Sequence, residues 1–213
     1  MLRQVLVSSS VVGLAIASLV ISNALHDRKA AGVLSRRLSS AIGGLAFLVT
    51  AMFLDMPVGL AVLGGLTVLI IVLRLGSRSK LRGVAGNRPT QSWSEVTFAV
   101  SGTLSLAVGW GLFGIKWLGL APVLFMAWGD NTAGLLRDTL CRNRRTSWWA
   151  SIAMLAVSLA CAGLVQPYFI GVVGAVVATA AERFRPVVSF WDDNLNLVTA
   201  SFVAMSILSK VVL

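Results

Sequence analysis

Long apolar runs alternate along this chain with short polar and basic stretches. The first run, 5–25, contains no charged residue and has about the 20 residues that a helix needs to cross the hydrocarbon core of a bilayer. Only Arg3 precedes it among the charged residues, and no small-residue cleavage site follows it. We therefore expect a retained transmembrane helix here and not a signal peptide.

Seven further runs repeat the pattern, and a tight turn at Asp55-Met56-Pro57 joins the second run to the third. These later runs are 38–54, 57–73, 94–113, 117–136, 148–165, 169–181 and 194–212. The seventh, 169–181, is short for a full span. The pattern predicts an all-α polytopic membrane protein with about eight transmembrane helices. We expect one domain, 1–213, in which 1–35 form a peripheral first helix and loop and 36–213 form the core.

Composition agrees with a bilayer as the main solvent. Of the 213 residues 57% are hydrophobic and 12% charged, against about 45–50% and about 25% in ordinary soluble domains. The net charge of +10 would suggest nucleic acid in a soluble protein, but here the basic residues lie in short tracts between apolar runs. We expect no nucleic-acid partner. Cys141 and Cys161 lack metal-type spacing, and we expect no structural disulfide between them.

The basic residues predict the orientation in the membrane. The stretches after the first, third, fifth and seventh runs contain all of the 18 Lys and Arg residues except Arg3, Lys116 and Lys210. Since cytoplasmic loops carry the excess of Lys and Arg, these four stretches are predicted to be cytoplasmic. Both termini then lie outside. Basic loops beside a membrane also attract anionic headgroups, so membrane lipids are expected partners.

Asp130 is the most informative acidic residue, because it lies inside the fifth apolar run. It is about the fourteenth residue of that run and lies roughly 20 Å along the helix. A charge at such a depth costs at least about 2.5 kcal/mol unless it is paired or lines a polar cavity. One interpretation is an interhelical hydrogen bond or an interfacial carboxylate. The other is a functional site, since Gly129 and Gly134 permit close approach and Asn131 and Thr132 add oxygen ligands.

A second polar cluster, Asp192-Asp193-Asn194, opens the last apolar run at the predicted cytoplasmic side. Helix capping explains one acid there. Two adjacent carboxylates followed by asparagine also form a hard-oxygen site of the kind that Mg²⁺ uses beside a phosphate. Glu95 opens the fourth run on the same side, either as a favourable first-turn acid or as a third carboxylate of the same cavity.

Arginines flank these acids in the predicted cytoplasmic loops. Positive-inside bias explains most of them, and we expect one or two to contact phosphates. They are Arg82, Arg88, Arg142, Arg144 and Arg145. The single histidine, His26, is expected to lie exposed in a loop, and the sequence has no Walker glycine loop. Carboxylates with arginines suit metal-assisted phosphoryl or nucleotidyl transfer.

Several short motifs occur in order from about Arg36 to the C-terminus. They are Arg36-Arg37-x-x-Ser40, Ser94-Glu95-x-x-Phe98, Gly129-Asp130-x-x-Ala133, Ser147-Trp148-x-x-Ser151-x-Ala153-Met154 and Asp192-Asp193-Asn194. Together they resemble the motifs of the polyprenol kinase family, which includes dolichol kinase, phytol kinase and the CTP-dependent diacylglycerol kinases. Three positions depart from the family pattern. Ser40 stands where the family has histidine, Trp149 where it has a carboxylate, and Gly134 is displaced by one position.

The resemblance implies a kinase-like core at 36–213 that phosphorylates a lipid alcohol, with CTP as the donor and Mg²⁺ as the cofactor. On this hypothesis Asp130 and Asp193 are catalytic. The implied metal ligands are Asp130, Asp192, Asp193 and Glu95. The implied nucleotide-binding residues are Asn131, Arg142, Arg144, Arg145 and Asn194. The alternatives are a membrane cytidylyltransferase that makes a CDP-lipid, a small-solute transporter and a non-catalytic relative of the family.

The orientation is testable by labelling. A cysteine introduced near Arg144 should react only with reagents that reach the cytoplasm, because that loop belongs to the basic side. The measurement compares permeant and impermeant thiol reagents on intact cells. Reaction from outside would contradict the orientation and the cytoplasmic site together.

Overall fold

Helices form every regular element in the part of the chain that the computed structural model describes, which is residues 1–27, 32–76, 78–85, 93–139, 147–184 and 192–212. Ten are α-helices. These are α1 (Leu2–His26), α2 (Gly32–Phe53), α3 (Met56–Gly76), α4 (Arg82–Ala85), α5 (Ser94–Ala107), α6 (Lys116–Leu124), α7 (Asn131–Thr139), α8 (Trp148–Ala162), α9 (Tyr168–Arg183) and α10 (Asp193–Val212). A 3₁₀ turn covers Arg78–Leu81, and π-helical turns cover Val108–Leu112 and Phe125–Asp130.

The prediction of an all-α protein is confirmed for these residues, and each of the eight apolar runs lies largely within helix. Four helical stretches among the described residues are long and apolar enough to cross a membrane, and α8 is a shorter apolar helix. The four are Leu2–His26, Met56–Gly76, Ser94–Leu112 and Asp193–Val212. Because α2 starts at Gly32 and α9 continues to Arg183, the predicted loops at 26–37 and 182–193 are shorter than expected.

Contacts divide the chain into two compact units, Met1–Thr103 and Leu104–Leu213, and the boundary falls within α5. In the first unit α1 packs against α2, α3 and α4. Phe98 of α5 meets Phe47 of α2 edge to face, with ring centroids 6.4 Å apart. The hydroxyls of Thr67 and Thr103 lie 2.9 Å apart and link α3 to α5. The single domain 1–213 stays a prediction.

The stretch 74–93, predicted to be a basic loop, contains a folded helical segment, Arg78–Ala85. Asn23, near the end of α1, binds this segment twice. Its amide donates to the Lys80 carbonyl at 2.8 Å, and its side-chain oxygen accepts the Gly83 N–H at 2.8 Å. The Ser35 hydroxyl donates to the Gly83 carbonyl at 3.0 Å, and Leu81 is fully buried. Side chains of α1 and α2 thus replace the hydrogen bonds that a longer helix would make.

His26 also differs from expectation. It is the last residue of α1 and is half-buried, whereas the sequence suggested an exposed loop position. The helix continues one residue past the apolar run, and the N–H of Asp27 donates to the carbonyls of Asn23 and Leu25. The end of the apolar run therefore predicts the end of α1 to within one residue.

In the second unit, α10 packs against α6, α9 and the turn Phe125–Asp130, and α8 packs against α7, α9 and the same turn. Close approaches at glycine make this packing tight. A Cβ added to Gly174 would overlap the Met205 side chain, and one added to Gly119 would overlap the backbone at Ser105. The Ser105 hydroxyl donates to the Gly119 carbonyl at 2.8 Å across this approach. The turn that carries Asp130 is therefore packed against helices on several sides.

Gly83 provides a test of the packing between α4 and α1. A Cβ at Gly83 would overlap the backbone of Ser22 and Asn23, so Gly83→Ala should destabilise the protein by about 1–3 kcal/mol, as overpacking does. Gly64→Ala in α3 is the control, because its Cβ would meet nothing within 4 Å. Thermal unfolding in detergent measures both. An unchanged midpoint in Gly83→Ala would contradict the described contact.

Candidate functional site

Asp130 closes a π-helical turn in the middle of a long helical stretch. Pro122 lies inside α6 and has no N–H, so it removes one helical hydrogen bond just ahead of the turn. The turn Phe125–Asp130 follows at once, and the Thr132 hydroxyl donates to the Trp128 carbonyl at 2.7 Å. Short π-helical insertions occur frequently at functional sites. The local sequence therefore gives Asp130 an irregular backbone in an otherwise apolar helix.

The Asp130 carboxylate is buried, with 8% of the residue exposed, and it has a cationic partner. Arg137 Nη2 lies 3.6 Å from Asp130 Oδ1, and Arg137 Nη1 lies 2.6 Å from Glu182 Oε1. One guanidinium from α7 is thus shared by carboxylates from the turn and from α9. When all three groups are ionised, their formal charge is −1. An ionisable side chain in an apolar helix is expected to face the protein interior and to have a partner of opposite charge, and Asp130 meets both conditions.

Sequence reasoning did not find Arg137 or Glu182 as members of this cluster. Arg137 was counted with the basic loop, and Glu182 lies one residue beyond the predicted end of the seventh apolar run. One signal was present. Arg137 follows Asp130 by seven residues, which is about two helical turns and places both on one helix face. No local pattern points to Glu182, because its partner lies 45 positions earlier in the chain.

Gly129 brings α8 close to the turn, as the sequence predicted for a glycine beside Asp130. A Cβ at Gly129 would lie 2.5 Å from Ser158 Oγ, and Ser158 is fully buried. Nearer the start of α8, the Ser151 hydroxyl accepts a hydrogen bond of 3.3 Å from Arg183. The Arg183 guanidinium also lies over the Trp148 ring, 3.7 Å from its centroid. Ser158 of α8 and Glu182 of α9 thus contact the segment that carries Gly129 and Arg137.

The second acidic cluster begins α10. Asp192 precedes the helix, and its carboxylate accepts the Asn194 N–H at 3.0 Å, as a capping residue does. Asp193 is the first helical residue and is half-buried, and Asn194 is buried. The capping interpretation therefore holds for Asp192. Because α10 contacts the turn Phe125–Asp130, the helices that carry the two acidic clusters are direct neighbours.

Glu95 has a basic partner within the first compact unit. Arg74 Nε lies 3.2 Å from Glu95 Oε1, and the Arg74 guanidinium lies 4.9 Å from the centroid of the Trp93 ring. Both side chains are nearly inaccessible, at 9% and 0% exposure. The ion pair joins the end of α3 to the start of α5. Metal binding by Glu95 stays a prediction, and its observed role is to neutralise a buried arginine.

Most of the arginines that were expected to bind phosphate lie outside the described residues. Arg88, Arg142, Arg144 and Arg145 lie outside the described residues. Arg82 is described, and its guanidinium pairs with Asp27 at 2.9 Å on the surface. Asn131 is half-buried at the start of α7, beside Asp130.

Within the described ranges no three His, Cys, Asp or Glu side chains lie together in a metal-binding arrangement. Mg²⁺ is usually held by one or two carboxylates together with substrate phosphates and water, rather than by a cage of protein ligands. The pair Asp192 and Asp193 can supply that number of carboxylates. The donor set therefore fits Mg²⁺ bound jointly with a phosphate.

Comparison with known proteins adds no relative. No protein-family model matches the chain, and neither a curated protein nor a solved structure matches it. The resemblance to the polyprenol kinase family consequently stays a prediction that depends on the motifs quoted above.

The shared arginine can be tested by charge removal. Arg137→Met should destabilise the protein by about 3–5 kcal/mol, because it removes the guanidinium that the buried Asp130 and Glu182 carboxylates share. The triple variant Arg137→Met, Asp130→Asn, Glu182→Gln should regain most of that loss, since it removes the two negative charges together with the positive one. Thermal unfolding in detergent compares the two. Equal midpoints in the single and triple variants would contradict the ion network.

Proposed function

We propose that the chain is a multi-pass integral membrane protein with eight spans, both termini outside and the acidic residues facing the cytoplasm. Support comes from the agreement between the eight apolar runs and the helices, and from the distribution of Lys and Arg. Two of the three basic residues assigned to the outer side lie beside aromatic rings from the segment 110–117: Lys116 beside Trp110 and Trp117, and Lys210 beside Phe113. That agreement is independent of the loop counts.

We further propose that the protein phosphorylates a lipid alcohol at the cytoplasmic membrane surface, with CTP as the donor and Mg²⁺ as the cofactor. The observation that carries this proposal is the contact between α10, which starts at Asp193, and the turn that ends at Asp130. The two acidic motifs that resemble those of the polyprenol kinases thus belong to neighbouring helical segments of one compact unit. An isoprenoid or glycerolipid alcohol would reach such a site from the bilayer, and the nucleotide would reach it from the cytoplasm.

In this reaction the lipid hydroxyl oxygen attacks the γ-phosphorus of CTP. The bond from that phosphorus to the β–γ bridging oxygen breaks, CDP leaves, and the hydroxyl proton passes to a carboxylate. Asp130 would accept that proton from a lipid held beside the helices, and Asp193 would bind the nucleotide–metal complex at the surface. Bound Mg²⁺ would neutralise charge on the triphosphate. Asn131 and Asn194 would orient phosphate oxygens, and Arg142, Arg144 and Arg145 would bind the triphosphate.

The direct test is an assay of purified protein with labelled CTP or ATP and a panel of lipid alcohols. The expected products are CDP and a lipid phosphate. Pyrophosphate with a CDP-lipid from a phosphorylated lipid would support a cytidylyltransferase instead, since that enzyme uses the same nucleotide and metal. If ATP serves as well as CTP at equal concentration, the proposed donor is wrong while the kinase proposal stands.

Asp130→Asn and Asp193→Asn should each lose most of the turnover and still fold. Arg137 keeps Glu182 as a partner at 2.6 Å in Asp130→Asn, so the ion network is only reduced. The double variant should be little worse than either single variant, because groups that act as a unit are strongly non-additive. Turnover and size-exclusion profiles measure both properties.

The matched control is Asp55→Asn, which removes an exposed carboxylate from the predicted outer side. It should keep full turnover. Near-normal activity in Asp130→Asn, or additive losses in the double variant, would refute a site shared by the two acidic clusters.

A further inference from the structure

Two lysines lie beside aromatic rings at the end of the second unit that lies away from Asp193. Lys116 Nζ is 4.8 Å from the centroid of the Trp117 ring and 5.9 Å from that of Trp110. Lys210 Nζ is 5.4 Å from the centroid of the Phe113 ring. These five residues, which we call the lysine–aromatic cluster, come from the end of the first π-helical turn, the start of α6 and the end of α10.

The backbone brings the members of the cluster together. Gly114 has a φ of +68°, which is the left-handed region that favours glycine, and it reverses the chain between Phe113 and Lys116. Phe202 of α10 then packs edge to face on Phe113, with ring centroids 6.1 Å apart. Segments that are far apart in sequence are thus fixed to each other at this end of the unit.

The chemistry of the cluster is cationic and amphipathic. Neither Lys116 nor Lys210 has an acidic partner among the described residues, and the rings of Trp110, Phe113 and Trp117 are half-buried. Two ammonium groups with no acidic partner in the described ranges attract an anion, and the rings that face them supply an apolar surface beside it. Lysine stems lie along such apolar surface while their charged ends reach water.

The position of the cluster agrees with a membrane surface. Lys210 follows Asp193 by 17 residues in α10, which is about 26 Å along the helix. The hydrocarbon core of a bilayer is about 30 Å thick. At the Asp193 side of the unit, Arg183 stacks on Trp148, which is 68% exposed. Cations beside aromatic rings therefore lie at both ends of the helices, as tryptophan and lysine do at the two membrane interfaces.

We propose that the lysine–aromatic cluster binds the phosphate of an anionic phospholipid headgroup, at the membrane surface opposite the acidic site. Lys116 and Lys210 contact the phosphate oxygens, and the rings of Trp110, Phe113 and Trp117 lie against the glycerol backbone. This proposal does not depend on the kinase reaction, because no residue of the acidic clusters takes part in it.

Lipid titration of the full-length protein in neutral detergent tests the proposal, with phosphatidylglycerol as the probe and phosphatidylcholine as the reference. Native mass spectrometry counts the bound lipids. We expect tighter binding of phosphatidylglycerol, and a loss of about fivefold in its affinity in Lys116→Gln and in Lys210→Gln, which is the effect of one basic residue near an anionic surface. Phe113→Leu should also lower the affinity, because it removes the ring beside Lys210.

Lys80→Gln is the matched control, since Lys80 is exposed in the first unit and the structure records no aromatic partner for its side chain among the described residues. It should leave the affinity unchanged. Equal losses in all three lysine variants would overturn the proposal in favour of general charge attraction. Equal affinity for the two lipids would overturn it as well, and so would displacement of the lipid by millimolar inorganic phosphate.

Discussion

A polar group that faces hydrocarbon has no water to bind, so its hydrogen bonds must be made within the protein. Threonine and serine side chains in the apolar helices obey this constraint by donating to carbonyls of their own helix. Thr67 bonds to Leu63 and Thr179 to Ala175, and Ser201 bonds to Leu197. The same requirement explains why buried charged side chains form ion pairs. Arg74 pairs with Glu95, and Arg137 pairs with Asp130 and Glu182.

This constraint is compatible with the proposed role of Asp130. Arg137 pairs with the buried Asp130 carboxylate and also with Glu182. Arg137 would therefore keep an ionic partner during the proposed transfer of a proton to Asp130. The ion pair that stabilises Asp130 in a buried position does not conflict with its proposed role as a base.

The sequence predicted those features that depend on solvent and on local spacing. Apolar runs specify the helices, and Gly129 indicated a close helical approach, which α8 makes. Features that depend on distant partners were not predictable. Glu182 could not be matched with Arg137, nor Arg74 with Glu95, because each pair joins elements that are separate in sequence. The sequence predicts a loop at Arg78–Ala85 because the segment has no apolar pattern of its own that indicates a helix. Side chains of α1 and α2 make hydrogen bonds to its backbone instead.

The two hydrogen bonds of Asn23 have a consequence for the order of events during synthesis. Its partners Lys80 and Gly83 follow it by 57 and 60 residues. At about 5–20 residues per second, α1 waits roughly 3–12 s for them after it leaves the ribosome. During that interval α2 and α3 are synthesised. Until then the Asn23 side chain can hydrogen-bond only to water or to other parts of the nascent chain. The contact between α1 and α4 therefore forms only after α2 and α3 have been synthesised.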